Sequence, residues 1–150
     1  MTTPDPGNRR ILGIDYGSER IGLAVSDPLG ILAHPRGAWK NNGSFWTQLA
    51  VLVKSEGIAL IVVGMPLNLK GQKGKKAEEV DEFVSRLKRE TSLEVVTWDE
   101  RFTTSIAQRT LIEMGTKKKD RRNKKHNIDA MAAALILQGF LDSTKKSLAC

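Results

Sequence analysis

The chain has 150 residues, enough for one compact domain with a real core, and its 40% hydrophobic and 27% charged residues are ordinary for a globular protein. Its longest apolar run, residues 130–137, is too short to span a bilayer, and the first residues lack the charged and apolar regions of a secretory leader, so a membrane protein or a secreted one is not expected. The single cysteine, Cys150, excludes an internal disulfide, and no Cys/His cluster has zinc spacing; the expected location is cytoplasmic, or organellar if a transit peptide precedes this sequence.

Residues 1–8, with two prolines and a glycine, are expected to be disordered. Residues 10–15 and 20–27 read as two strands joined by the turn Tyr16-Gly17-Ser18-Glu19. Pairing about that turn sets Asp15 opposite Arg20, Gly13 opposite Gly22 and Ile11 opposite Ala24. One sheet face is then mostly small (Ile11, Gly13, Asp15, Arg20, Gly22, Ala24, Ser26), and the other is uniformly bulky (Leu12, Ile14, Tyr16, Ile21, Leu23, Val25). The bulky face is core; the small one lets a helix or a substrate approach the backbone closely. Residues 31–39 form a third strand, which Pro35 confines to an edge or a bulge. Asn41-Asn42-Gly43-Ser44 caps a helix with an apolar stripe of Phe45, Leu49, Leu52 and Val53.

Residues 60–64 are an apolar run read as a central parallel strand, and residues 65–74 a loop. With Lys70, Lys73, Lys75 and Lys76 this segment either touches phosphates or is an exposed connection; it lacks P-loop spacing. Residues 75–91 are an amphipathic helix with Ala77, Val80, Phe83, Val84 and Leu87 inward, and residues 93–98 the next strand. Ser105 and Gln108 resemble a capping box for a helix that ends at Gly115. The last helix covers residues 127–141, within a single domain of residues 9–142, and residues 143–150 are a polar tail. An initial meander followed by alternating strands and helices predicts an α/β fold with a mixed sheet and helices on both sides.

The formal charge of +7 is concentrated. Between Thr116 and His126 stand Lys117, Lys118, Lys119, Arg121, Arg122, Lys124 and Lys125 against one acid, Asp120, while the rest of the chain has 17 basic and 16 acidic residues. Such a run is often only a solvated loop, but placed directly before an acid-bearing helix it can hold a polyanion against that acid. The acids themselves stand at element ends: Asp15 closes the first strand, Asp99 and Glu100 close a later one, and Asp129 opens the last helix. On that helix Asp129, Ala132, Ala133, Ile136 and Phe140 share a face. If this face meets the small sheet face, Asp15 and Asp129 converge. Close carboxylates repel unless protonated or bridged by a cation, and oxygen-only ligands favour Mg²⁺ or Mn²⁺ over zinc. Alternation sends Asp99 and Glu100 to opposite faces, so one of the two completes the site, and spacing alone does not choose between them.

Four stretches, ILGIDYGSERIGLAVSD, IVVGMPLNLKGQKGKKAEEVDEFVSRL, DERFTTSIAQ and NIDAMAAALILQGFLD, resemble in this order the YqgF (RuvX) family, Holliday-junction-resolvase-like proteins also described as pre-16S rRNA nucleases. The resemblance implies an RNase H-like fold with a five-stranded mixed sheet flanked by helices. It also implies a metal-dependent phosphodiester hydrolase acting on structured nucleic acid, with a role in ribosomal RNA maturation. Position by position, Asp15, Glu100 and Asp129 match the family's acids and are the expected catalytic residues and ligands of Mg²⁺ or Mn²⁺, with Asp99 as the alternative to Glu100. RNase H-like nucleases usually carry the second acid at the end of the fourth strand; here that end is Gly64-Met65, so Glu100 has to reach in from the neighbouring strand.

The expected partners are structured RNA (pre-rRNA) or branched DNA, held by Arg20, Arg101, Lys117, Lys118, Lys119, Arg121, Arg122, Lys124 and Lys125, with the protein a monomer or a homodimer. A non-catalytic RNA-binding assembly factor and a Holliday-junction resolvase are the alternatives. The actin-like and sugar-kinase proteins also carry a loop like Ile-Asp-Tyr-Gly, but they need two lobes, and 150 residues hold one.

Overall fold

The computed structural model describes residues 9–68, 70–100 and 124–148, with side chains of the last helix described over residues 128–144. The chain forms β1 (Arg10–Asp15), β2 (Arg20–Ser26), β3 (Ala33–Lys40), α1 (Ser44–Glu56), β4 (Ile58–Met65), α2 (Lys75–Thr91), β5 (Glu94–Asp99) and α3 (Lys124–Leu148). Five strands lie in one sheet in the order β3-β2-β1-β4-β5. The β3-β2-β1 meander is antiparallel, and β4 and β5 join it in parallel through α1 and α2. This is the mixed, helix-flanked sheet that the sequence implies. The helix expected to end at Gly115, the N-terminal residues 1–8, Arg101 and the basic residues up to Arg122 lie outside the described residues, as do the side chains of Lys124 and Lys125. Among the described residues no helix is long and apolar enough to cross a membrane.

Strand alternation divides the sheet into two unlike faces. Leu12, Ile14, Ile21, Leu23, Val25, Ile61 and Val63 project to one side and are buried beneath α1 and α2. From α1 come Phe45 and Leu49, and from α2 the five positions that the sequence turns inward, Ala77, Val80, Phe83, Val84 and Leu87. Tyr16, Phe45 and Trp46 crowd around Phe83 with ring centroids 4.7, 5.7 and 5.6 Å from it. Full burial of each such side chain is worth about 1.5–3 kcal/mol, so this face carries most of the fold's stability.

The other face is small, and α3 lies on it. A Cβ added at Gly13 would stand 2.6 Å from Leu137 Cβ, and one at Gly22 only 2.0 Å from the Asp129 carbonyl oxygen. Real side chains do not fit there; the helix backbone rests directly on the sheet. Ala24, Val62, Ala133, Ala134, Ile136, Leu137 and Leu141 are buried in this second layer. Gln138 anchors the helix to the start of β3: its Oε1 accepts from Ala33 N at 2.9 Å, and its Nε2 donates to Ile31 O at 3.0 Å.

Three local expectations are corrected. The β1–β2 register pairs Asp15 with Gly22 and Gly13 with Ala24, two residues away from the predicted pairing. Beyond Gly22 the chain is drawn towards β3 instead, with Arg20 opposite Lys40 and Asn41 Nδ2 donating to Gly17 O at 2.9 Å. A slip of two keeps every side chain on its predicted face. The cap of α1 is local to Asn42, whose Oδ1 accepts from Ser44 N at 3.0 Å, while Gly43 at the cap position makes no side-chain bond. The last helix also starts before residue 127 and runs past residue 141 into the expected polar tail, where the Ser143 and Thr144 hydroxyls bond back to Phe140 O and Leu141 O at 3.0 and 2.9 Å. As expected, Pro35 sits both at the sheet edge and at a bulge, where the β2–β3 register shifts between Leu23 and Ala24.

Because α3 is seated through Gly22, Gly22→Ala is expected to cost about 3 kcal/mol in urea unfolding. Gly43→Ala, with nothing within 4 Å of the new methyl group, should change stability by less than about 0.5 kcal/mol. Equal losses from the two would contradict the close approach.

Candidate active site

Asp15 ends β1 on the small face, and its cross-strand neighbour is Gly22. The Asp129 backbone lies against Gly22. One missing side chain therefore brings the first strand's acid and the last helix's acid side by side. Glu100 arrives from the opposite flank. Trp98, two residues before it, lies on the α3 face, edge-on to Phe140 at 6.2 Å. Glu100 follows directly after the end of β5, in the turn that leaves the strand, and its carboxylate reaches back to that same face. The room for it is made by Gly64, since a Cβ there would stand 3.0 Å from Glu100 Oε1. Glu100 thus fills from β5 the space at the end of β4 where the strand itself offers no acid. Asp99 goes the other way and lines a cleft of about 400 Å³ with Met65, Leu67, Lys73, Asp81 and Thr97.

The electrostatics separate the three acids into a pair and a single. Asp15 is pushed up to about 6, first by burial and then by the negative charge of Glu100, with a further contribution from Asp129. Glu100 is also raised, again first by burial, although Lys76 and a hydrogen bond from Asp15 oppose the rise. The two carboxyl groups are hydrogen-bonded to each other, a contact that raises Asp15 and lowers Glu100 and so favours a proton on Asp15 over one on Glu100. Asp129 instead accepts a 2.8 Å hydrogen bond from Arg20 Nε, and that contact holds the guanidinium more firmly protonated than usual. Among the described residues no three His, Cys, Asp or Glu side chains form a ready-made metal cluster. Asp129 is near enough to act on the charge of Asp15, but its carboxylate is turned to Arg20.

This arrangement fits a hard divalent cation. Its donors are all carboxylate oxygens, and two of them are raised first by burial, which a divalent charge would offset. Asp15 and Glu100 are the residues that would hold such an ion, with Asp129 as the third acid once its side chain leaves Arg20.

The sequence grouped Lys76 with three neighbouring lysines and gave it no separate place. It is the cation whose charge reaches both Asp15 and Glu100, whereas Lys73 is taken by Asp81 at 2.9 Å. A signal for it was present. Lys75 and Lys76 begin α2, where positive charge opposes the helix dipole at a cost of a few tenths of a kcal/mol to about 1 kcal/mol each. Arg20, expected on nucleic acid, is engaged with Asp129, a partner 109 positions away.

The raised Asp15 predicts a pH-dependent penalty in metal-free protein. A carboxyl whose folded pKa lies above its unfolded value stabilises only while protonated: the contribution is full below about 3.8 and is lost as pH rises through about 6. Asp15→Asn in a chelator should therefore melt a few degrees above the parent at about pH 7.5, with the gap closing by about pH 4. A parent as stable as the variant at the higher pH would contradict the burial of this carboxyl.

Comparison with known proteins agrees with the architecture and places the chain. A family model described as "RuvX: Holliday junction resolvase" matches residues 9–143. A protein of Sulfurihydrogenibium sp. (strain YO3AOP1) named "Putative pre-16S rRNA nuclease" is 45% identical over 135 residues, covering 89% of this chain and 90% of that one. A protein of the same name from Acetivibrio thermocellus is 43% identical over 143 residues, covering 93% and 99%. Among solved structures, T. thermophilus RuvC in complex with Holliday junction substrate matches with a TM-score of 0.61 at 16% identity, over 91% of this chain and 96% of that one. At that identity the likeness speaks for the fold, which is RNase H-like. By the span of the family match and the identity of its relatives, the chain belongs to the RuvX family.

Proposed function

We propose that this protein is a metal-dependent nuclease that hydrolyses phosphodiester bonds in structured nucleic acid, and that its role is maturation of the 5′ end of pre-16S ribosomal RNA. The observation that carries the reading is the convergence of Asp15, Glu100 and Asp129 at the sheet end, through Gly22 and Gly64, with the Asp15 and Glu100 carboxyls both raised. Structural ion pairs do not need two mutually repelling, half-buried carboxyls, and the protein bears a stability cost for them. Family membership and two relatives named for pre-16S rRNA point to the same chemistry.

In this reading Asp15, Glu100 and Asp129 are the ligands of one or two Mg²⁺ or Mn²⁺ ions. When bound, the metal supplies an activated water and stabilises the leaving oxygen in an in-line displacement at phosphorus. The remaining work belongs to the chain's own groups. Asp15 would offer its carboxylate from the end of β1, and Glu100, backed by Gly64, keeps its carboxylate facing Asp15. Lys76 supplies positive charge on the α2 side, where a phosphate would otherwise meet three acids. Arg101, Lys117, Lys118, Lys119, Arg121, Arg122, Lys124 and Lys125 bind the sugar-phosphate backbone, adding affinity and orientation with little choice of sequence.

The test is cleavage of a structured pre-16S RNA and of a four-way DNA junction in Mg²⁺ and in Mn²⁺. Asp15→Asn, Glu100→Gln and Asp129→Asn are each expected to lose on the order of 100-fold or more in turnover, while Asp99→Asn stays within about twofold of the parent. Undiminished turnover by Asp15→Asn and Asp129→Asn would leave only an RNA-binding scaffold. Faster cutting of the DNA junction than of the RNA would reassign the substrate and keep the chemistry.

A further inference from the structure

The ion pair between Arg20 and Asp129 is not what holds α3 on the sheet. That task falls to the close contacts at Gly13 and Gly22 and to the buried Ala133, Ala134, Leu137 and Leu141. Nor is the pair a buried structural bridge, for the Arg20 and Asp129 side chains are 29% and 27% exposed. Arg20 opens β2, opposite Lys40 at the end of the β2–β3 ladder, so its side chain can swing into solvent without disturbing the core. What the pair does is neutralise Asp129, the acid of the three whose carboxylate is turned to Arg20.

Building on the metal-dependent reading above, we propose that Arg20 is an internal competitor for the divalent ion. Its guanidinium occupies Asp129 until a metal takes that carboxylate, and it must turn away for the three acids to act together. The geometry makes the two occupants exclusive in charge if not in space. Arg20 Nε stands 2.8 Å from Asp129 Oδ2, so a cation bound through that carboxylate would lie within a few ångströms of a fixed positive charge. Two positive charges at such a separation repel, and one carboxylate cannot compensate both. The same contact explains why Asp129 stands apart from the Asp15–Glu100 pair although its backbone is held beside them.

Competition is read from Mn²⁺ binding without nucleic acid, counting free Mn²⁺ by its room-temperature paramagnetic resonance signal. Removing the competitor should tighten binding, so Arg20→Gln is expected to bind Mn²⁺ about twofold to fivefold more tightly than the parent, the range that a partly exposed ion pair supports. Arg20→Lys keeps the charge and should stay nearer the parent. In an Asp129→Asn background the same Arg20→Gln change should have no effect, because the competition runs through that carboxylate. Equal or weaker binding by Arg20→Gln overturns the inference. So does tightening of the same size in the Asp129→Asn background, which would make Arg20 a general repulsive charge. Should the parent take up no Mn²⁺ that Asp15→Asn weakens, the metal reading itself fails and this inference falls with it; parent binding without an Arg20→Gln effect removes the inference alone.

Discussion

Everything at the site depends on the close approach of α3 to the sheet at Gly22. A helix normally stands off a sheet by the depth of two side-chain layers. Here the Asp129 carbonyl sits where a Gly22 Cβ would be, 2.0 Å away. Gly22 is also the residue that pairs with Asp15, so one absent side chain fixes the distance between two acids far apart in the chain. Gly64 does the same for the third, giving Glu100 a place to lie across the end of β4. The site is built by subtraction: glycines are spent where carboxylates have to meet, and the cost is borne by the bulky core on the far side of the sheet.

This logic also explains which parts of the structure could be read from the sequence. The division of β1 and β2 into small and bulky faces needs only the alternation of residue sizes, and it survived a register error because the error was an even number of residues. The bounds and inward face of α2 follow from helical periodicity and stand as expected. By contrast, the register depended on where the chain went after Asp15, and Asn41, just past the end of β3, holds Gly17 there. Which of Asp99 and Glu100 faces Asp15 needed the sheet order, since only with β5 beside β4 does the space at Gly64 lie next to Glu100. The partner of Arg20 and the reach of Lys76 are long-range electrostatics, which no local pattern encodes.

The charges close on themselves, and this constrains how such a site can work. Three carboxyl groups are set against the Arg20 guanidinium and the Lys76 ammonium, and the Asp15 carboxyl is raised to about 6, so the chain's own groups bring the cluster towards neutrality. A neutral cluster is a folding advantage, because unpaired buried acids would be costly while the chain waits to be loaded. It is equally a barrier to loading. A dication entering the cluster makes it positive unless a proton leaves, the arginine withdraws, or a phosphate arrives with compensating charge. Each of these changes acts on a different residue: Asp15 loses the proton, Arg20 moves, and Lys76 meets the phosphate. In the proposed reading, metal and polyanion would favour one another's binding, since each supplies the charge that the other lacks, and the cluster would be driven towards its three-acid arrangement with both present.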